Sequence, residues 1–166
     1  FNETCELKYN NIPFSSELIE ILGWMIGDGS LFFKEWDRIE RDSRGSVSLF
    51  YHHDKELDIL SRHKRVLERY GLKVEEVVST RTSEQIEKTK RKYKFKTVSR
   101  KHYTLRIINK DFVRYLIEIG FQTSTDGKVI PESIFLLPSS LRCSFLRGYF
   151  SADGNYEGSI GARITI

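Results

Sequence analysis

Cysteine is scarce in this chain of 166 residues: Cys5 and Cys143 are the only two. So few thiols, so far apart, exclude a disulfide framework and a cysteine zinc site, and both are expected to be reduced. Long apolar runs are missing as well. No uninterrupted stretch approaches the ~20 residues of a membrane-spanning helix, and the opening Phe1-Asn2-Glu3-Thr4 does not read as a signal peptide. Neither sign of charge dominates: 27 basic residues face 23 acidic ones, for a net charge of +4 and a pI near 9.0. That mild excess permits a polyanionic partner without requiring one. What remains, with 39% hydrophobic residues, suffices to bury a core. The expectation is an intracellular protein (cytoplasm, nucleoid or organelle) with no membrane association.

The pattern along the chain predicts an α+β fold. Residues 1–14 read as a polar, irregular leader or linker, with Pro13 at the entry to ordered structure. A helix is expected from Ser15 or Ser16, whose hydroxyl can cap free amides, through Leu18, Leu22 and Met25 to Asp28. Gly29 is expected as its left-handed stop. From Ser30 to His53 the pattern predicts two strands around the polar stretch Arg38–Gly45. Asp54 is expected to cap a helix carrying Leu57, Leu60 and Leu67 and ending at Gly71. Strands are expected over Lys73–Arg81 and Lys92–Ile108, separated by the charged segment 82–91. A short helix follows from about Asn109 to Gly120, burying Phe112, Leu116 and Ile119. The connection 121–138 contains Pro131 and Pro138.

Then the chain begins again. A shift of 125 residues lays Ser15 on Ser140, Gly23 on Gly148, Trp24 on Tyr149 and Asp28-Gly29 on Asp153-Gly154. The repeated segments are Ile21-Leu22-Gly23-Trp24-Met25-Ile26-Gly27-Asp28-Gly29 and Leu146-Arg147-Gly148-Tyr149-Phe150-Ser151-Ala152-Asp153-Gly154. Each places small residues four apart, Gly23 with Gly27 and Gly148 with Ala152, which is one face of a helix. A face without bulk lets two helix backbones approach closely. Each helix then ends in an aspartate at its own negative pole, an unfavourable position for an anion. Packing the small faces together would bring two such carboxylates into one place. A divalent metal resolves that conflict, and a pair of carboxylates completed by water and phosphate suits magnesium.

Both segments resemble the nine-residue motif of LAGLIDADG homing endonucleases, and the interval between them resembles one αββαββα unit of that family. The resemblance implies two motif helices packed at a pseudo-two-fold interface, with antiparallel sheets offered to the major groove of double-stranded DNA. Residues 15–137 would form the first unit, and 138–166 the start of a second, incomplete one with at most one strand, Gly158–Ile166. By matching position, Asp28 and Asp153 would be the catalytic, metal-binding acids. The motif's other acidic position holds Ile26 in one copy and Ser151 in the other. The best match to the family's catalytic lysine is Lys128, with Lys101 and Lys110 as competitors. His52, beside His53 at the end of the second strand, matches a polar position that organises active-site water. A zinc site at that pair lacks further ligands at suitable spacing.

The DNA surface is expected from two segments. Residues 88–101 hold eight basic and no acidic residues. In a strand, Lys90, Lys92, Lys94 and Lys96 would share a face, able to neutralise phosphates or enter the major groove. The first hairpin offers Lys34, Arg38, Arg41 and Arg44 among acidic neighbours. The function implied is a site-specific, intron-encoded type of homing endonuclease that hydrolyses double-stranded DNA at a long site with Mg2+ or another divalent cation. With a complete second unit it would act as a pseudo-symmetric monomer. The alternatives are a nuclease-inactive DNA-binding regulator, an RNA maturase on the same fold, and the endonuclease insert of an intein.

Overall fold

The computed structural model describes residues 6–34, 44–52, 54–89, 92–123, 127–157 and 161–164. Its elements run β1 (Lys8–Tyr9), β2 (Ile12–Pro13), α1 (Ser16–Asp28), β3 (Gly29–Lys34), β4 (Arg44–Tyr51), α2 (Leu57–Arg69), β5 (Val74–Thr89) and β6 (Lys92–Ile108). They continue through α3 (Lys110–Glu118), α4 (Glu132–Phe135), α5 (Ser139–Asp153), β7 (Gly154–Glu157) and β8 (Gly161–Ile164). The expected order of helix, two strands, helix, two strands, helix is present. Strands β3, β4, β6 and β5 form, in that spatial order, one antiparallel sheet.

Sheet alternation separates two faces. Leu31, Val47, Leu49, Leu105 and Ile107 point into the core, whereas Phe32, Phe50 and Ile108 lie exposed on the opposite, open face. Helix α1 is apolar on nearly every side, as an element buried all round must be. Leu18, Ile19, Ile21, Leu22, Trp24, Met25 and Ile26 are all buried. Its N-cap is Ser15, whose hydroxyl accepts from the Leu18 amide at 3.2 Å. Asn109 caps α3 in the same way, accepting from the Phe112 amide at 2.9 Å.

Five expectations are corrected. Leu7–Phe14 are not irregular: Asn10 and Asn11 both take positive φ, 51° and 63°, and close the two-residue β1–β2 hairpin. A pair of left-handed residues matches strand twist, and asparagine tolerates that conformation. The hairpin docks by burying Leu7 and Phe14 and by setting Tyr9 edge-on to Phe112, centroids 5.0 Å apart. Gly29 is extended (φ −141°), so α1 runs directly into β3 without a left-handed stop. A glycine is required there because a Cβ would lie 2.7 Å from Met25 Cα. Asp54 opens a turn of 3-10 helix, and the N-cap of α2 is Glu56 without a side-chain cap. The charged segment after Arg81 does not separate two strands; β5 continues to Thr89, opposite Lys92. Finally, Gly158–Ile166 is not a lone strand, because β7 pairs with β8 in a second small hairpin.

Beneath α1 lies a polar cluster that the hydrophobic pattern did not show. The Trp24 indole stacks on Tyr51 with centroids 5.2 Å apart, and the Tyr51 hydroxyl meets His63 Nδ1 at 2.8 Å. His63 is 1% exposed, and burial pushes its pKa from 6.5 down to about 3. The unfolded chain therefore binds a proton between those values and the native chain does not, so stability falls as pH drops below 6.5. The expected loss from this group is about 1.4 kcal/mol per pH unit, or about 2 kcal/mol between pH 6.5 and 5. Urea unfolding of the wild type and His63→Phe at both pH values measures it; an equal pH dependence in the two proteins would show that His63 is not the group responsible.

Candidate active site

Helices α1 and α5 cross through their small faces. A Cβ built on Gly23 would collide with the Phe145 carbonyl oxygen and lie 2.9 Å from the Tyr149 amide nitrogen. A Cβ on Gly148 would collide with the Glu20 carbonyl oxygen and lie 3.0 Å from the Trp24 nitrogen. These two sets of contacts are one set under the 125-residue shift, since Glu20 maps to Phe145 and Trp24 to Tyr149. The interface is therefore pseudo-two-fold at the level of single atoms. Where the repeat breaks, a charge enters. Buried Glu20 is held by Arg62 of α2 at 2.6 Å and by Arg147 of α5 at 2.5 Å. Sequence reading missed this tie, although a lone glutamate inside an apolar helix signals a need for partners.

Beside this crossing the two motif aspartates come together. At Gly27 a Cβ would meet Ala152 Cβ at 2.6 Å and Asp153 Cβ at 3.2 Å, so the last turns of both helices touch. Burial raises the pKa of Asp28, His52 counters that rise, and the like charge of Asp153 adds a smaller one, offset by Lys128. His52 Nε2 lies 3.5 Å from Asp28 Oδ2. Lys128 Nζ donates to the Gly27 carbonyl oxygen, placing its cation at the negative end of α1. Thus Asp153, Lys128 and His52 all neighbour Asp28. Lys101 instead lines a groove with His52, Asp54 and Arg100, and Lys110 lies by the trough on the open sheet face.

No family model and no curated protein matches the sequence. Solved structures do match. I-DmoI in complex with DNA and Mn aligns over 84% of this chain and 63% of its own, at 18% identity and a TM-score of 0.51. I-DmoI with DNA and Ca aligns over 84% of this chain and 58% of its own, with the same identity and TM-score. A variant with its target DNA in the presence of Mg behaves alike, at 62% of its length. I-DmoI is a LAGLIDADG homing endonuclease. The fold is the LAGLIDADG fold. This chain spans about three-fifths of the length of those structures.

Those I-DmoI structures were solved with Mn, Ca or Mg, and the two carboxylates present here suit such a divalent cation. Two carboxylates converge, and the pKa of Asp28 is raised mainly by its burial, with a smaller contribution from Asp153. Among the described residues no three His, Cys, Asp or Glu side chains converge on one point. Two carboxylates fit magnesium, which uses one or two carboxylates and keeps several waters.

The open sheet face carries an exposed trough lined by Phe32, Arg44, Gly45, Ser46, Ser48, Arg106, Ile108 and Lys110. Lys34 and Arg44 stand opposite each other in the β3–β4 register. Arg106 was missed from the sequence; the alternation of β6 against buried Leu105 and Ile107 was the signal that could have found it. Lys92, Lys94 and Lys96 take alternating positions in β6, whereas Lys90, Arg38, Arg41 and His53 lie outside the described residues. Cys143 is a free, exposed thiol. Among the described residues no helix is long and apolar enough to cross a membrane.

Proposed function

We propose that this chain is the DNA-binding and motif-helix portion of a site-specific endonuclease that hydrolyses phosphodiester bonds of double-stranded DNA with a divalent cation. The observation that carries the reading is the paired carboxylate: two aspartates related by the repeat, set together by a backbone-to-backbone helix crossing beside an open, cation-bearing sheet face. A pure binding protein has no chemical need for that pair. Asp28 and Asp153 would hold the cation, Mg2+ being the expected ion. The bound ion would polarise the scissile phosphate and acidify a coordinated water. Lys128, already next to Asp28, would stabilise negative charge developing on the phosphate. His52 would orient water through the ring nitrogen that faces Asp28. A long recognition site follows from laying the four-stranded face along the major groove, with Arg44, Arg106 and Lys34 within the groove.

Metal-dependent nicking of duplex DNA by the purified chain is the experiment that separates this reading from a nuclease-inactive regulator or an RNA maturase. DNA recovered by affinity selection supplies the substrate. Magnesium-dependent cuts at a reproducible site are the expected result, and binding without any cut would favour the regulator.

The basic strand gives a separate measurement. Lys92, Lys94 and Lys96 take every second position of β6. Each phosphate contact removed should flatten the log–log salt dependence of binding by about 0.9. Replacing Lys90, Lys92, Lys94 and Lys96 with alanine should therefore weaken binding and reduce that slope by up to about 4. An unchanged slope would assign the segment to solvated surface.

A further inference from the structure

His52 and His102 stand 50 residues apart, yet the pairing of β4 with β6 brings their rings together, centroids 5.5 Å and planes 85° apart. Their Nδ1 atoms face each other at 3.3 Å. Two imidazole nitrogens at 2.0–2.1 Å from one tetrahedral ion lie about 3.3–3.4 Å apart. The separation matches that bite, and without an ion it is spanned by a hydrogen bond between the two rings whose donor depends on the tautomer. The other nitrogen of the His52 ring faces the Asp28 carboxylate at 3.5 Å. An N–H directed at a carboxylate leaves the lone pair on Nδ1, which is how carboxylates orient metal-binding histidines. Sequence spacing pointed to the neighbouring His53 for a second imidazole, whereas the fold supplies it from β6.

We propose that His52 and His102 chelate one borderline transition ion of the Zn2+ or Ni2+ class through their Nδ1 atoms, at a site separate from the Asp28–Asp153 pair. Imidazole selects such ions, whereas Mg2+ is held by oxygen. With no third protein ligand among the described residues, water completes the shell; the His52 side chain is 43% exposed and water reaches it. The surrounding charge is mixed. Asp28 and Glu56, which accepts the His52 amide at 2.7 Å, favour a cation, while Arg100 and Lys101 on the rim of the groove oppose it. The site does not depend on the nuclease reading.

Zn2+ titrated calorimetrically into the full chain in millimolar Mg2+ tests it. One ion should bind per chain, with affinity reduced about tenfold or more in His102→Asn and in His52→Asn. Asp153→Asn should bind Zn2+ as the wild type does, which separates this site from the carboxylate pair. Co2+ should give the visible absorption of a nitrogen-ligated ion in the wild type and lose it in His102→Asn, with circular dichroism showing that the variant is folded. If that variant fails to fold, His102→Gln takes its place in both measurements. Equal Zn2+ binding by the wild type and the histidine variants, or displacement of Zn2+ by millimolar Mg2+, would overturn the proposal.

Discussion

The Asp28→Asn substitution is expected to abolish strand cleavage and at the same time to stabilise the metal-free protein. The two effects share one cause. Burial and the nearby charge of Asp153 raise the pKa of Asp28 in the fold. The native state therefore holds that proton more tightly than the unfolded chain does. As pH rises through the raised pKa, ionisation costs the folded state more than the unfolded one, and stability falls. Asparagine keeps the shape and removes the charge, so at neutral pH the variant should melt higher than the wild type without metal. Cleavage should drop by at least about 10²–10³-fold, the scale of losing one electrostatic stabiliser of a transition state. Mg2+ or Mn2+ should raise the melting temperature of the wild type and leave that of Asp28→Asn nearly unchanged, because a ligand stabilises only the state that binds it. DNA affinity should survive, since the open sheet face is untouched. A variant that cuts at the native rate, or that melts lower without metal, would remove Asp28 from the proposed cation site.

The parts of the site that could be read in the sequence are those governed by local rules. Gly23, Gly27, Gly148 and Ala152 were legible because helical spacing fixes which residues share a face, and the 125-residue repeat fixed which faces meet. Ser15 and Asn109 were legible as caps because their hydrogen bonds are local. Gly29 was placed correctly at the helix end, but for the wrong reason, since close approach to Met25 and not a positive φ demands glycine there. The contacts that were not legible are long-range. Nothing in the local pattern of Arg62 or Arg147 indicates that both reach Glu20. His102 reads as one residue in a basic strand until the register sets it beside His52. The outer part of β5, 82–89, was hidden because its residues are mostly polar or charged and carry no apolar alternation. Asn10 and Asn11 looked like polar filler because the reason for their type is a backbone twist.

Gly148→Ala is expected to cost the fold more than any other single methyl group. Helix propensity alone favours the change by about 1 kcal/mol, so an exposed glycine in the same helix would gain from it. Here the added Cβ would lie 2.7 Å from the Glu20 carbonyl carbon, nearer still to its oxygen, and 3.0 Å from the Trp24 nitrogen. These are backbone atoms of a helix buried on all sides and have no rotamer by which to move aside. Relief requires the two helices to part. Overpacking a core typically costs about 1–3 kcal/mol and sometimes more. Parting α1 from α5 adds the loss of the matching contact at Gly23, the Gly27–Ala152 contact and the Arg147 tie to Glu20. It also separates Asp28 from Asp153, so the raised pKa of Asp28 should relax toward its ordinary value. Gly127→Ala is the control: φ there is +99°, but nothing lies within 4 Å of an added Cβ, so the penalty is confined to backbone strain of about 1–2 kcal/mol. Thermal melts should therefore show Gly127→Ala folded and cooperative at temperatures where Gly148→Ala has lost its transition. The same order is expected for Gly23→Ala, whose contacts are the symmetry mates of these. If Gly148→Ala melts cooperatively within a few degrees of the wild type, the helices are not in backbone contact, and the carboxylate pair must be held together by something other than this crossing.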